Sequence, residues 1–160
     1  MSRPPVTEPD PVRALTGEWG FERTVADRIG DTFGTASGTA RFVPEGDGLE
    51  WIESGTLLIG DHRFDAKRRM SIRPEDGGWM VRFDDGRVFH PLDLTVGRCE
   101  VGHPCREDFY DGVLELVESD EGPELRTEWR VEGPAKDQLI RTRYRRQDPI
   151  LRVSPPCIRA

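Results

Sequence analysis

No stretch of this sequence approaches the roughly 18 consecutive apolar residues of a membrane-spanning helix. The opening residues, Met1-Ser-Arg-Pro-Pro-Val-Thr-Glu-Pro-Asp10, also lack an apolar core of the signal-peptide kind. Both absences point to a cytoplasmic chain. A basic excess is missing as well: 23 Lys and Arg stand against 30 Asp and Glu, a net charge of -7. Such a surface neither neutralises a phosphate backbone nor docks on an anionic membrane, so nucleic acid and membrane are excluded as expected partners. The three cysteines, Cys99, Cys105 and Cys157, are odd in number and lack the paired spacing of a zinc ribbon. Reduced thiols follow, with Cys157 exposed in a proline-flanked tail.

What the sequence does contain fits one hydrophobic core, since 160 residues are 35% hydrophobic and 33% charged. Residues 1–10, rich in proline and polar groups, read as a flexible arm, residues 11–147 as the folded domain, and residues 148–160 as a tail. The apolar tail segment Pro149-Ile-Leu-Arg-Val153 leaves homodimerisation open. Asp10-Pro-Val-Arg-Ala-Leu-Thr16 offers a cap and a proline start for about one helical turn before Gly17. Beyond it, short alternating runs are broken by turn pairs such as Gly30-Asp31, Gly60-Asp61, Asp76-Gly77, Asp85-Gly86 and Gly133-Pro134. This pattern predicts an all-β fold: a single antiparallel barrel of about 8–10 strands, with sequential strands as neighbours.

Alternation sorts each strand into an inner and an outer face. From Glu124 to Gly133 the inner set is Leu125, Thr127, Trp129 and Val131, and Glu and Arg alternate outside. The same sorting turns Trp19, Phe21, Arg23 and Val25 inward, then small residues from Gly34 to Ala40, which leave interior room. Trp51, Glu53 and Leu57 follow, then Phe64, Arg68 and Met70, and then Trp79, Val81 and Phe83. Val88, His90 and Leu92 come next. After a loop at Gly102-His103-Pro104, Asp108, Tyr110, Leu114 and Leu116 face in, and the last strand adds Thr142 and Tyr144 with Lys136 in phase.

The predicted interior therefore holds Arg23, Glu53, Arg68, His90, Asp108, Tyr110, Lys136 and Tyr144. Buried charge must pair, meet water or meet a ligand. Glu53 and Arg68 on adjacent strands can form a structural ion pair, and Arg23 can stack on Trp19 or Trp129. His90 alone reads as a core histidine. The run His103-Pro-Cys105-Arg-Glu-Asp108-Phe-Tyr110 beside it brings imidazole, thiol, carboxylate and phenol together. In an acid–base reading, a histidine held by Asp108 moves a proton while Tyr110 stabilises an oxyanion. His90, His103, Cys105 and Asp108 are also competent metal ligands, although their spacing matches no standard motif.

Gly17-Glu-Trp19 after the helical turn resembles the Gly-x-Trp signature of lipocalins and related calycins. That resemblance implies an arginine of the last strand packed across the tryptophan, a role open to Arg141, Arg143 or Arg145. A larger set resembles the uncharacterised DUF6314 family: Trp19 with Arg23, Glu53-x-Gly55, the run Phe83 to His90, His103-x-Cys105-x-x-Asp108-x-Tyr110, Trp129 to Lys136, and Tyr144. This second resemblance implies a barrel and no particular activity.

The expected function is binding of a small amphipathic molecule with a polar or anionic end. Arg23, Glu53, Arg68, His90, Tyr110, Lys136 and Tyr144 would meet its polar part, and Trp51, Phe83 and Trp129 its apolar body. The rivals are a cofactor-free isomerase, lyase or hydrolase using His90, His103, Asp108 and Tyr110, a haem or metal barrel, and a structural module.

Overall fold

A computed structural model of the chain describes residues 10–27 and 31–147. Most of the expected N-terminal arm, the C-terminal tail and the segment Pro149–Val153 lie outside the described residues. A single turn, α1 (Pro11–Leu15), is capped by Asp10, whose carboxylate accepts from the Val12 amide at 2.9 Å. Ten strands follow. They are β1 (Gly17–Asp27), β2 (Thr32–Glu45), β3 (Gly48–Ile59), β4 (His62–Glu75), β5 (Gly78–Phe83), β6 (Val88–Leu92), β7 (Arg98–Cys105), β8 (Asp108–Ser119), β9 (Gly122–Glu132) and β10 (Asp137–Gln147).

They form one antiparallel sheet in the order β6-β5-β4-β3-β2-β1-β10-β9-β8-β7. The first and last strands pair over their whole length, from Glu18↔Gln147 to Asp27↔Gln138, which curls the meander into a nearly closed barrel. The seam lies between β6 and β7, the two ends of the strand order. A second gap adjoins it. β4 pairs with β3 along its length but with β5 only from Met70↔Phe83 onward, so His62–Arg69 has a partner on one side alone.

Two cross-strand glycines allow the tight curvature of β2 on β3. Gly38 and Gly55 face each other, and a Cβ on either would lie 2.1 Å from a carbonyl of the opposite strand. The end of the barrel near α1 is filled, with Trp19, Phe42, Leu49, Ile72, Leu114 and Leu125 all buried. There Trp19 Nε1 donates to the Leu15 carbonyl at 2.8 Å, and Arg146 Nη1 donates to that of Thr16 at 2.8 Å. The Arg146 guanidinium lies 4.6 Å over the Trp19 ring. Arg146 thus takes the role expected of Arg141, Arg143 or Arg145. Those three share the outward phase and pair with Glu128 or Glu124, whereas Arg146 is in phase with the inward Thr142 and Tyr144.

Two further expectations change. Gly102, His103 and Pro104 belong to β7 rather than to a loop. The chain reverses at Arg106-Glu107, where Arg106 adopts φ 61° with no glycine to mark the turn. In β6, Val88 is 42% exposed while Phe89 is buried, because a bulge pairs Arg82 with Val88 and Val81 with His90 and turns the intervening Phe89 inward.

Candidate functional site

Halfway up the barrel, charged side chains converge on Glu53, which is 2% exposed. Its Oε1 accepts from Arg23 Nη2 at 3.0 Å, and its Oε2 accepts from Trp51 Nε1 at 3.0 Å and Arg68 Nη2 at 3.2 Å. The Tyr144 hydroxyl donates to the same Oε2 at 2.5 Å. Arg23 is fixed further by Thr142 Oγ1 at 2.8 Å and lies 4.8 Å over Phe21, not over Trp19 or Trp129. Four strands supply this network because Arg23, Glu53, Arg68 and Tyr144 all occupy inward positions of the alternation. Burial pushes the Glu53 carboxyl up, but Arg68, Arg23 and the Tyr144 hydroxyl together hold it below the usual carboxylate range. Burial, then the Glu53 charge, raise the Tyr144 phenol, which stays protonated.

Two guanidiniums against one carboxylate leave a single surplus positive charge. Arg68 holds an inward position of β4 and bonds Glu53, yet keeps 42% of its side chain accessible. An inward group that stays accessible faces open space rather than a packed core. Toward the β4 gap and the far end, the inward residues Leu57, Phe64, Ala66, Tyr110 and Ile140 are half-buried or exposed. The barrel is therefore a cup, solid near α1 and open opposite, with Arg68 at the base of the open half.

An aromatic group stands across the seam. Trp129, Phe89 and Phe83 form a stack, with centroids 4.9 and 4.5 Å apart and ring planes within 20°. Gly112 makes this possible, because a Cβ there would lie 2.5 Å from the Trp129 ring. Phe83 and Trp129 thus each stack on Phe89 and tie β5 and β6 to β9 across the seam, where backbone pairing stops. His90 and His103 flank the stack, 4.6 and 5.3 Å from the Phe89 ring, and Tyr110 lies 6.0 Å from His103. His90 Nδ1 lies 2.7 Å from the Pro91 carbonyl, and no described residue hydrogen-bonds its Nε2. Burial first, then the nearby charges of His103 and Arg68, lower its pKa from 6.5 to about 4, so the ring is neutral.

Asp108 is occupied elsewhere. It faces Lys136 Nζ at 3.5 Å at the open end, and no imidazole among the described residues bonds to it. Lys136 itself precedes β10 and is 47% exposed, outside the charged floor. Among the described residues no three His, Cys, Asp or Glu side chains are gathered to hold a metal, so His90, His103, Cys105 and Asp108 do not form such a group. Phe89 and Arg146 escaped the sequence reading of the interior, and Thr142 was turned inward there but given no part in the site. Three bulky residues in a row, Val88-Phe89-His90, were the available sign of the bulge.

The fold and this interior define a calycin-like barrel, a one-ended cup with a charged base. The family model of DUF6314, a family of unknown function, matches residues 15–146, and the chain belongs to that family. No curated protein matches the sequence significantly. Among solved structures, the S-type phycobiliprotein lyase CPES from Guillardia theta is similar in fold. The TM-score is 0.60 at 5% identity, over 85% of this chain and 90% of that one. A protein of unknown function from the DUF3598 family of Nostoc punctiforme aligns with TM-score 0.56 at 14% identity, over 90% of this chain and 52% of the other.

Proposed function

We propose that the cup binds one small amphipathic molecule, its anionic end against Arg68 and its apolar body along Leu57, Phe64, Ala66 and Ile140. The observation that carries this reading is the surplus positive charge at an inward-facing arginine that stays accessible. A charge-assisted hydrogen bond there is worth about 1.5–3 kcal/mol, and the apolar wall contributes through burial. The free edge of β4 beside Arg68 supplies a lateral way in. Structural likeness to a protein named as a phycobiliprotein lyase is compatible with an occupied barrel. It says nothing of the ligand.

The test uses dodecanoate, methyl dodecanoate and dodecylamine as probes in calorimetric titration. Dodecanoate should bind, the ester and the amine should bind at least tenfold more weakly, and Arg68→Ala should abolish the difference between acid and ester. Equal affinity for acid and ester would overturn the reading.

The neutral His90 beside His103 and Tyr110 favours a second reading, cofactor-free acid–base catalysis in the same cup. An imidazole held at about 4 is a weak base at neutral pH, which ranks this reading below binding. A bound compound recovered chemically changed, by mass spectrometry, would reverse that order.

A further inference from the structure

His90 contributes to the cup something the charged floor does not, a bare hydrogen-bond acceptor. A carbonyl oxygen accepts and never donates, so the 2.7 Å contact with Pro91 O commits a proton to Nδ1. In a neutral ring Nε2 then holds only a lone pair. The ring is 1% exposed, boxed by Phe89 at 4.6 Å and Trp129 at 5.3 Å, so it cannot swing out to water. His103 and Arg68, the charged or titratable groups close enough to act on it, both oppose a second proton. No described residue hydrogen-bonds Nε2. A buried acceptor left this way is costly unless an occupant supplies a donor.

Resting on the binding reading above, we infer that the ligand's head is an anion with a hydrogen-bond donor within a few bonds of it, a hydroxy or amino carboxylate whose donor meets His90 Nε2 while its carboxylate meets Arg68. A plain fatty acid satisfies the arginine and leaves the imidazole unanswered. A hydroxy acid answers both. His90 is therefore a specificity-determining residue, selecting the ligand by a donor and not by charge.

Titrations compare dodecanoate with 2-hydroxy- and 3-hydroxydodecanoate, and with the corresponding methoxy acids, which keep the bulk and lose the donor. One hydroxy acid should bind about tenfold more tightly than dodecanoate, its methoxy counterpart should lose that gain, and His90→Phe should bring the hydroxy acid down to the level of the plain acid. Equal binding of plain and hydroxy acids by the unaltered protein, with dodecanoate still preferred over its methyl ester, overturns this inference and leaves the binding reading standing. If acid and ester bind alike, the binding reading itself fails, and this inference with it. The methoxy comparison needs no variant, so a poorly folding His90→Phe does not remove the test.

Discussion

Single residues in this barrel are set by what surrounds them more than by their type, and His90 shows it most clearly. Its pKa falls from 6.5 to about 4 on folding, so the folded state resists the proton that the unfolded chain accepts. A depressed folded pKa contributes stability that is complete above 6.5 and is lost as pH falls toward 4. The full loss is about 3 kcal/mol, from the shift at about 1.4 kcal/mol per unit. Urea unfolding followed from pH 7 to pH 4 should show this decline, and His90→Phe should flatten it. A profile unchanged by the substitution would remove His90 as the cause. Glu124, only 4% exposed beneath Arg126, Arg143 and Arg145, is held at about 2, first by its hydrogen bond from Arg143. Its contribution is present above 4.5 and fails only at lower pH, so the two windows separate. Glu53 behaves differently, since Arg23 and Arg68 both depend on it. Glu53→Gln leaves the half-buried Arg23 and the more accessible Arg68 without their counter-charge and should cost about 1–3 kcal/mol in denaturant unfolding.

Between elements, the seam is held by side chains where backbone pairing ends. Phe89 is the middle ring of the Trp129–Phe89–Phe83 stack, and Phe89→Ala should cost about 3–5 kcal/mol. Gly112→Ala tests the same stack from the other side, because its new methyl would push the Trp129 ring away and expose it. A red-shifted tryptophan emission relative to Trp129→Phe should report that, and an unshifted spectrum would show that the indole does not depend on Gly112. These elements also show what was readable beforehand. Strand alternation was plain in β9, where Glu and Arg alternate with Leu125, Thr127, Trp129 and Val131. The same rule brought Arg23, Glu53, Arg68 and Tyr144 to one interior. It failed at β6, because a bulge breaks period 2 and a local pattern cannot say where an extra residue sits. It also failed at Arg106, whose positive φ is imposed by the hairpin it closes and not by its own side chain. The pairing of Asp108 with Lys136, and of Arg146 with Trp19, depended on three-dimensional closure that spacing does not encode.

Taken whole, the described barrel is a ring of nine backbone ladders of unequal length and one side-chain joint. The β1–β10 ladder joins the first and last described strands through ten paired positions, and β5 and β6 share only four. Opening at the seam breaks few hydrogen bonds, whereas opening at β1–β10 breaks the ring at its longest-range pairing. Local opening free energies follow such differences. The cup and its seam also coincide, since His90 and His103 stand on β6 and β7, the strands that flank the joint. The weakest part of the wall therefore lies beside the proposed site, where opening would widen the way in. Native-state hydrogen exchange should show amides of Trp79–Phe83 and Val88–Leu92 exchanging well before those of β1 and β10. Phe89→Ala should speed the first group further and leave β1 and β10 limited by global unfolding. Uniform exchange across all ten strands would mean that the aromatic stack closes the ring as firmly as a ladder, and entry would then have to be through the open end.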